Sequence, residues 1–138
     1  MAARRLARAD YLALYRAVGT PVQWDLRLRM APAELDGFLA SPATHLFLLA
    51  LGDAAAGFCE AVEDAEGGIE ITHFGLRPEA KGQRLGPYLL DRAVRALWLR
   101  RPRRLWLHTD TCDDPAAIGT YERAGFVAYR HAWEDVPD

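Results

Sequence analysis

The sequence contains no hydrophobic run long enough to cross a bilayer as a helix. Its longest apolar run, Leu46 to Leu51, has six residues, whereas a membrane-spanning helix needs about 20. The N-terminal sequence MAARRLARAD carries positive charge but no apolar segment follows it, which argues against a secretory signal. From these two absences we expect a cytoplasmic protein that does not bind membranes.

Cysteine and lysine are both scarce. The two cysteines, Cys59 and Cys112, are too few for a disulfide scaffold in a chain of 138 residues. They form no Cys-x-x-Cys pair, and the four histidines show no metal-ligand spacing, so we expect no metal. The 17 basic residues include one lysine, Lys81, and the net charge is −2. A chain with so little net charge has no strong field for nucleic acid, and we expect none as a partner.

The overall composition is typical of one soluble globular domain. The chain is 51% hydrophobic and 26% charged, and it contains no internal repeat or low-complexity linker. A chain of this size buries roughly two-thirds of its unfolded surface in a single core. We therefore predict one domain over residues 1–138.

Hydrophobic periodicity predicts a strand meander in the first half and alternating strands and helices in the second. Tyr11, Leu14 and Val18 fall on one face of a helix over 4–18, which Gly19 would end in a left-handed cap. The other predicted elements are a short helix from Pro32, strands at 45–51, 57–62 and 69–76, a long helix at 85–97, a strand at 105–109, a helix at 115–124 and a strand at 126–133. This order predicts an α/β fold, a mixed α+β sheet with helices packed on it.

The most informative segment is residues 76–86, with the sequence LRPEAKGQRLG, between a predicted strand and a predicted helix. The first N–H groups of a helix are unpaired and lie at the positive end of its dipole, so such a turn binds phosphate groups. Gly82 and Gly86 would let the backbone approach a ligand, and Lys81 and Arg84 would add positive charge. A tight strand-to-helix turn without a ligand is the alternative interpretation.

Two segments resemble the motifs of the GNAT family of N-acetyltransferases. Leu76-Arg77-Pro78 is similar to the first part of motif A, Val/Leu-x-Pro. Residues 81–86 are similar to its second part, Arg/Gln-x-x-Gly-x-Gly/Ala, with Lys81 at the first position and Arg84 at the first glycine. Residues 114–126, DPAAIGTYERAGF, resemble motif B, Asn-x-x-Ala-x-x-x-Tyr-x-x-x-Gly-Phe, with Asp114 at the asparagine.

The resemblance implies a GNAT-like acyl-CoA N-acyltransferase fold that lacks the family's first and last strands. The sheet would then have six strands or fewer, with an exposed edge that a second subunit could cover in a homodimer. The implied co-substrate is acetyl-CoA, and the implied acceptor is a primary amine of a small molecule, a peptide or a protein. By the same resemblance, the residues that bind the cofactor are Phe74, Gly75, Leu76, Lys81, Gly82, Gln83, Arg84, Leu85, Gly86 and Asp114.

Acetyl transfer to an amine requires two proton transfers. The amine must lose a proton before it attacks, and the departing thiolate should gain one. The resemblance implies that Tyr121 is the general acid, although a core aromatic would also fit its position. It also implies that Glu70, which lies six residues before Leu76, is the general base.

Alternatives to Glu70 as the base are Glu60, His108 and a relay through water. In a regular strand Glu70 and His73 would point to opposite faces, but a β-bulge would change this.

The acceptor and two rival functions are left open by the sequence. The acidic residues Glu60, Glu63, Asp64, Glu66 and Glu70 favour a cationic acceptor, although a solvated acidic turn explains most of them equally well. A non-catalytic CoA-binding or protein-interaction module on the same fold is the second hypothesis. Nucleic-acid binding through the arginines at 95–104 is the third, and it would show a strong dependence on salt.

Overall fold

A computed structural model describes residues 4–108 and 115–127 of the chain. The helices are α1 (Arg8–Gly19), α2 (Pro32–Ala40), α3 (Leu85–Trp98) and α4 (Pro115–Arg123), and the strands are β1 (Thr44–Leu51), β2 (Ala54–Glu63), β3 (Gly68–Leu76) and β4 (Arg104–Leu107). Short 3-10 turns occupy Thr20–Val22, Arg27–Arg29 and Pro78–Ala80. In the described ranges, no helix has both the length and the apolar character needed to cross a membrane.

The strands form one mixed sheet in the order β1-β2-β3-β4. β1, β2 and β3 pair antiparallel as a meander, and β4 pairs parallel to β3 after the crossover through α3. Gly52, at a φ of 64°, makes the turn between β1 and β2. The mixed sheet and the alternation in the second half confirm the predicted fold class.

Helices cover both faces of the sheet and create two apolar layers. One face of β1, β2 and β3 packs against α3, whose buried residues are Leu89, Leu90, Ala93 and Leu97. The other face packs against α1 and α2, which contribute Tyr11, Leu14, Tyr15, Val18, Leu35 and Leu39. The apolar stripe of each helix thus faces the sheet, because burying it removes its surface from water.

The start and the end of α1 differ from the prediction. The helix begins at Arg8 instead of residue 4, since the Arg4 N–H donates to the Leu46 carbonyl (2.7 Å) in an isolated antiparallel bridge. Gly19 has a φ of −91° and is not a left-handed cap, so that prediction is wrong. A Cβ at Gly19 would lie 2.5 Å from Cε3 of Trp24, so glycine is needed there for close packing.

A bulge in β3 reverses which residues face each layer. Glu60 pairs with His73 and Ala61 with Ile71, so that Thr72 has no paired residue on β2. Ile71 packs in the α3 layer, whereas His73 contacts Tyr15 on the α1 side. Residues on the two sides of the bulge therefore depart from simple alternation, and Glu70 and His73 point to the same side.

Part of the predicted sheet falls beyond the described residues. The strand expected at 126–133 lies mostly outside them, and Phe126 and Val127 are not in a strand. Over 4–108 and 115–127 the sheet has four strands, and the Arg4 bridge is the one contact that extends it beyond β1. The homodimer stays a prediction.

Candidate active site

A cavity of about 370 Å³ lies where the end of β3 meets the start of α3 and the end of α1. Its wall combines residues from four regions. They are Val18 at the end of α1 with Val22 and Trp24 after it; residues 71–76 of β3 with His108; Lys81, Gly82, Arg84, Leu85, Gly86 and Pro87 in the loop before α3 and its first turn; and Thr120, Tyr121 and Arg123 of α4.

The loop before α3 has an unusual backbone at two positions. Arg84, the residue that precedes the helix, has a φ of 60° and a ψ of 23°, and Gly82 has a φ of 83°. Left-handed backbone is rare for residues with a Cβ, yet Arg84 adopts it. Pro87 lies in the first turn of α3, where the lack of a backbone N–H costs no hydrogen bond, because the N–H groups of that turn have no partner within the helix.

Small residues keep the space in front of α3 open. No described atom lies within 4 Å of where a Cβ of Gly82 would sit. A Cβ of Gly86 would be 3.8 Å from the side chains of Leu76 and Phe74. The backbone at the start of α3 is therefore accessible to a ligand in the cavity.

The described pairing between β3 and β4 stops short of the end of β3, beside the same cavity. Among the described residues, the pairing of the two strands ends at Ile71 and Leu107. On its other side β3 remains paired with β2 as far as Leu76. Residues 74–76 border the cavity, and the described part of β4 offers their backbone groups no partner.

Tyr121 reaches the cavity from α4. Its ring packs against Phe74 (centroids 5.6 Å apart) and Phe126 (6.2 Å), and 9% of the residue is exposed. These ring contacts hold the side chain in place at the cavity wall. The position of Tyr121 is compatible with both interpretations of the sequence, the core aromatic and the general acid, since the ring is packed and also lines the cavity.

The comparisons with known proteins agree with this geometry. The family described as "Acetyltransferase (GNAT) family" matches residues 6–126. The chain belongs to the GNAT acetyltransferase family. None of the curated proteins compared with the chain matches it.

Several solved structures share this fold over nearly the whole length of the GNAT protein. One is an aminoglycoside acetyltransferase, meta-AAC0020, from an uncultured soil metagenomic sample, with 15% identity and a TM-score of 0.74 over 98% of this chain and 93% of that one. A second is a putative acetyltransferase from Agrobacterium tumefaciens, with 18% identity and a TM-score of 0.73 over 99% and 100%. A third is a GNAT family protein from Streptococcus pneumoniae, with 18% identity and a TM-score of 0.65 over 96% and 94%. At these identities the likeness shows the shared fold.

Most of the residues predicted to bind the cofactor come together at this cavity. Phe74, Gly75, Leu76, Lys81, Gly82, Arg84, Leu85 and Gly86 all line it. Gln83 does not, and its side-chain amide lies 3.5 Å from the Glu79 carbonyl. Asp114 lies outside the described residues.

Glu70 lies beside the cavity on the α1 side of β3 but does not line it. The residue is half-buried, and burial raises the pKa of its carboxyl above the usual value, although the nearby His108, Arg27 and His73 act in the opposite direction. A carboxylate with a raised pKa accepts a proton more readily than an exposed one. His108, an alternative base, is exposed and lines the cavity.

Glu60, another alternative base, is fully buried and serves the structure instead. Its carboxylate accepts hydrogen bonds from Arg27 Nη2 (2.9 Å) and His73 Nδ1 (2.7 Å), and also from the hydroxyls of Tyr11 and Thr72. Burial would raise the pKa of Glu60, but the bond from His73 and the charges of His73 and Arg27 outweigh it and lower the pKa to about 2. A group so enclosed and so weakly basic cannot receive a proton from an amine.

The acidic residues do not form an acidic acceptor site, contrary to one expectation. None of the five lines the cavity. Glu63 pairs with Arg100 (3.2 Å) and His45 (3.2 Å), and Asp64 accepts the N–H groups of Glu66 and Gly68. The acidic turn stabilises the β2–β3 connection, as the alternative interpretation held. Within the described residues there is also no cluster of His, Cys, Asp and Glu that could hold a metal ion.

Sequence reasoning missed one wall of the cavity. Val18, Val22 and Trp24 line it from the end of α1 and the following turn. Val18 was assigned only to the helical core, and Trp24 stands in a segment with no periodicity. Arg123 was also missed, although it belongs to the segment that resembles motif B.

Proposed function

We propose that the protein is an acetyl-CoA-dependent N-acetyltransferase that moves the acetyl group directly to a primary amine of a small molecule or peptide. The observation that carries the proposal is the left-handed backbone of Arg84. Arg84 lies at the start of α3, in the wall of a cavity that also reaches Tyr121 and the end of β3.

The residues of this cavity fit a nucleotide with a long, flexible arm. The N–H groups of the first turn of α3 would bind the diphosphate, and Lys81 and Arg84 would balance its charge. The backbone groups of residues 74–76 that border the cavity would bind the amides of the pantetheine arm, as an added strand binds to a sheet. Arg123, on the α4 side, adds a third cation to the wall.

The chemistry then requires groups that move protons. Acetyl-CoA, when bound, supplies a thioester whose acetyl group is activated for attack. Glu70 would take the proton from an ammonium whose pKa in water is about 10. Tyr121 would donate its hydroxyl proton to the departing sulfur, since it lines the cavity beside Phe74. The backbone donors of residues 74–76 would stabilise the developing oxyanion.

The alternative, a module that binds CoA without catalysis, rested on Arg84 and Asp114 at positions where the family has other residues. Arg84 adopts a φ of 60° despite its side chain, so the replacement of glycine does not prevent a positive φ at this position. The motives that remain for the alternative are Asp114 and an acceptor that the sequence does not identify.

The proposal is tested by titrating acetyl-CoA into the protein in a calorimeter and by measuring CoA release with a panel of primary amines. We expect one binding site, about tenfold weaker in Lys81→Ala because a charge-assisted contact is lost. Arg95→Ala is the matched control, because Arg95 is an exposed cation of the same helix that pairs with Asp91 (2.9 Å). No binding by the unmodified protein would refute the proposal, and binding without release of CoA for any amine would favour the module.

A further inference from the structure

One end of the cavity has an apolar wall that is already packed in place. Val18, Val22 and Trp24 form it opposite the phosphate-binding start of α3. The Trp24 indole packs against His73 (centroids 4.7 Å apart), Tyr15 (5.5 Å) and Phe58 (5.9 Å). The absence of a side chain at Gly19 leaves room for the Trp24 indole, and Gly75 lies beside the same ring. A rigid aromatic wall of this kind favours a ligand with an apolar body.

The same cavity offers no counter-ion for a second ammonium group among its described lining residues. Over residues 4–108 and 115–127 its lining includes Lys81, Arg84 and Arg123 but no carboxylate. Glu70 directly precedes the lining residue Ile71, on the α1 side of β3. The Glu60 carboxylate lies behind the lining residues Thr72 and His73, but it is already paired with Arg27. His73 lines the wall, but both of its ring nitrogens are engaged, one with Glu60 (2.7 Å) and one with the Tyr15 hydroxyl (3.2 Å).

We infer that the acceptor is a monoamine with an apolar body, whose amine points toward Glu70 and whose body packs on the wall of Val18, Val22 and Trp24. The inference rests on the proposed function, because it assigns the substrate class of the same site. A polyamine or an aminoglycoside carries several ammonium groups. All but one of these would find no carboxylate among the described residues that line the cavity, so their charges would be left without a counter-ion, which is costly.

The sharpest comparison is between hexylamine and 1,6-diaminohexane, which differ only in whether the far end is a methyl or an ammonium group. We expect hexylamine to bind the CoA-saturated protein at least about tenfold more tightly, and to show a kcat/KM higher by a similar factor. From propylamine to hexylamine, each methylene should raise the affinity about threefold as it packs on the wall. Equal or tighter binding of the diamine would overturn the inference.

A substitution in the wall should change the preference in a predictable direction. Val22→Asp places a carboxylate at a half-buried position of the cavity wall, so we expect the ratio of diamine to hexylamine affinity to rise about tenfold. Leu26→Asp is the matched control, because Leu26 is 49% exposed in the same segment and does not line the cavity. An unchanged ratio in the Val22 variant would contradict the assignment of this wall to the acceptor.

The outcomes separate this inference from the proposed function. If acetyl transfer occurs but is fastest with the diamine, the inference fails and the proposed function stands. If hexylamine binds preferentially but no amine is acetylated, the substrate-class inference holds for binding and the proposed function fails.

Discussion

At the scale of single residues, we assign the two proton transfers to Glu70 and Tyr121, which the fold places differently. Glu70 is half-buried beside the cavity, and Tyr121 lies in its wall. Burial makes Glu70 a stronger base than an exposed carboxylate, whereas the contacts of the Tyr121 ring with Phe74 and Phe126 fix the position of that side chain. Each role can be removed by changing a few atoms, without disturbing the packing.

Replacing Glu70 with glutamine should remove the acidic limb of the pH–rate profile. The pKa of Glu70 is raised, so the unmodified enzyme should lose activity as the pH falls through a value above the usual 4.5, where the base becomes protonated. Glu70→Gln should lower kcat/KM about 100-fold near neutral pH and leave no such limb. Glu66→Gln, in the exposed turn, is the control and should behave as the unmodified enzyme. A Glu70 variant with a normal rate would transfer the base role to His108 or water.

Replacing Tyr121 with phenylalanine should slow turnover without weakening cofactor binding. The ring keeps its contacts with Phe74 and Phe126, so the fold and the dissociation constant for acetyl-CoA should be unchanged. Loss of the general acid should lower kcat about 100-fold. Tyr88→Phe, at an exposed tyrosine of α3, should have no effect. A normal kcat for Tyr121→Phe would show that Tyr121 is a core aromatic only.

At the scale of elements, two local irregularities create the site: the bulge in β3 and the bend before α3. Neither is a regular helix or strand, and hydrophobic periodicity does not report either of them. The bulge was foreseen only as a condition for Glu70 and His73 to share a face, and the structure shows it at Thr72. The bend was located from its glycines, but the left-handed backbone of Arg84 could not be predicted from an arginine.

Two substitutions of Arg84 should separate the effect of its charge from that of its backbone. Arg84→Gly relieves left-handed strain and should raise the free energy of unfolding by up to about 1 kcal/mol, whereas Arg84→Ala keeps the strain. Both variants lose one cation at the cavity, so both should bind acetyl-CoA about fivefold more weakly. Urea denaturation and calorimetry measure the two effects. A glycine variant less stable than the alanine variant would contradict this account of the bend.

The Glu60 network should stabilise the junction of α1, β2 and β3. Glu60→Gln leaves Arg27 buried beside a neutral partner, so the free energy of unfolding should fall by about 3 kcal/mol near neutral pH. Glu63→Gln, at a partly exposed pair, should cost less than about 1 kcal/mol. Both values come from urea denaturation.

The pH dependence of stability gives a second measure of the same network. The pKa of Glu60 is lowered from 4.5 to about 2. Its contribution is therefore fully present above the unfolded value of 4.5 and is lost as the pH falls toward the folded value. The difference between the unmodified protein and Glu60→Gln should shrink over that window. A constant difference would show that the charge of Glu60 is not what stabilises the junction.

At the scale of the whole molecule, the sequence predicted the order of elements well and the composition of the cavity incompletely. The strands, the long helix and the loop before α3 follow from periodicity and glycine placement, which are local. The wall of Val18, Val22 and Trp24 depends on how the segment after α1 packs across β3, and no local pattern reports such a contact. For the same reason the five acidic residues seemed to favour a cationic acceptor, whereas folding pairs three of them, Glu60, Glu63 and Asp64, with arginine, histidine and backbone groups.

The central claim is that this cavity carries an acetyl group from acetyl-CoA to an amine nitrogen. The most direct measurement is a single-turnover reaction with acetyl-CoA labelled in the acetyl group, with hexylamine as acceptor and the products identified by mass spectrometry. The account predicts label on the amine nitrogen, one equivalent of free CoA, and loss of both products in the Tyr121→Phe and Glu70→Gln variants on the same time scale. Label that remains on CoA, or appears only as free acetate, would contradict it.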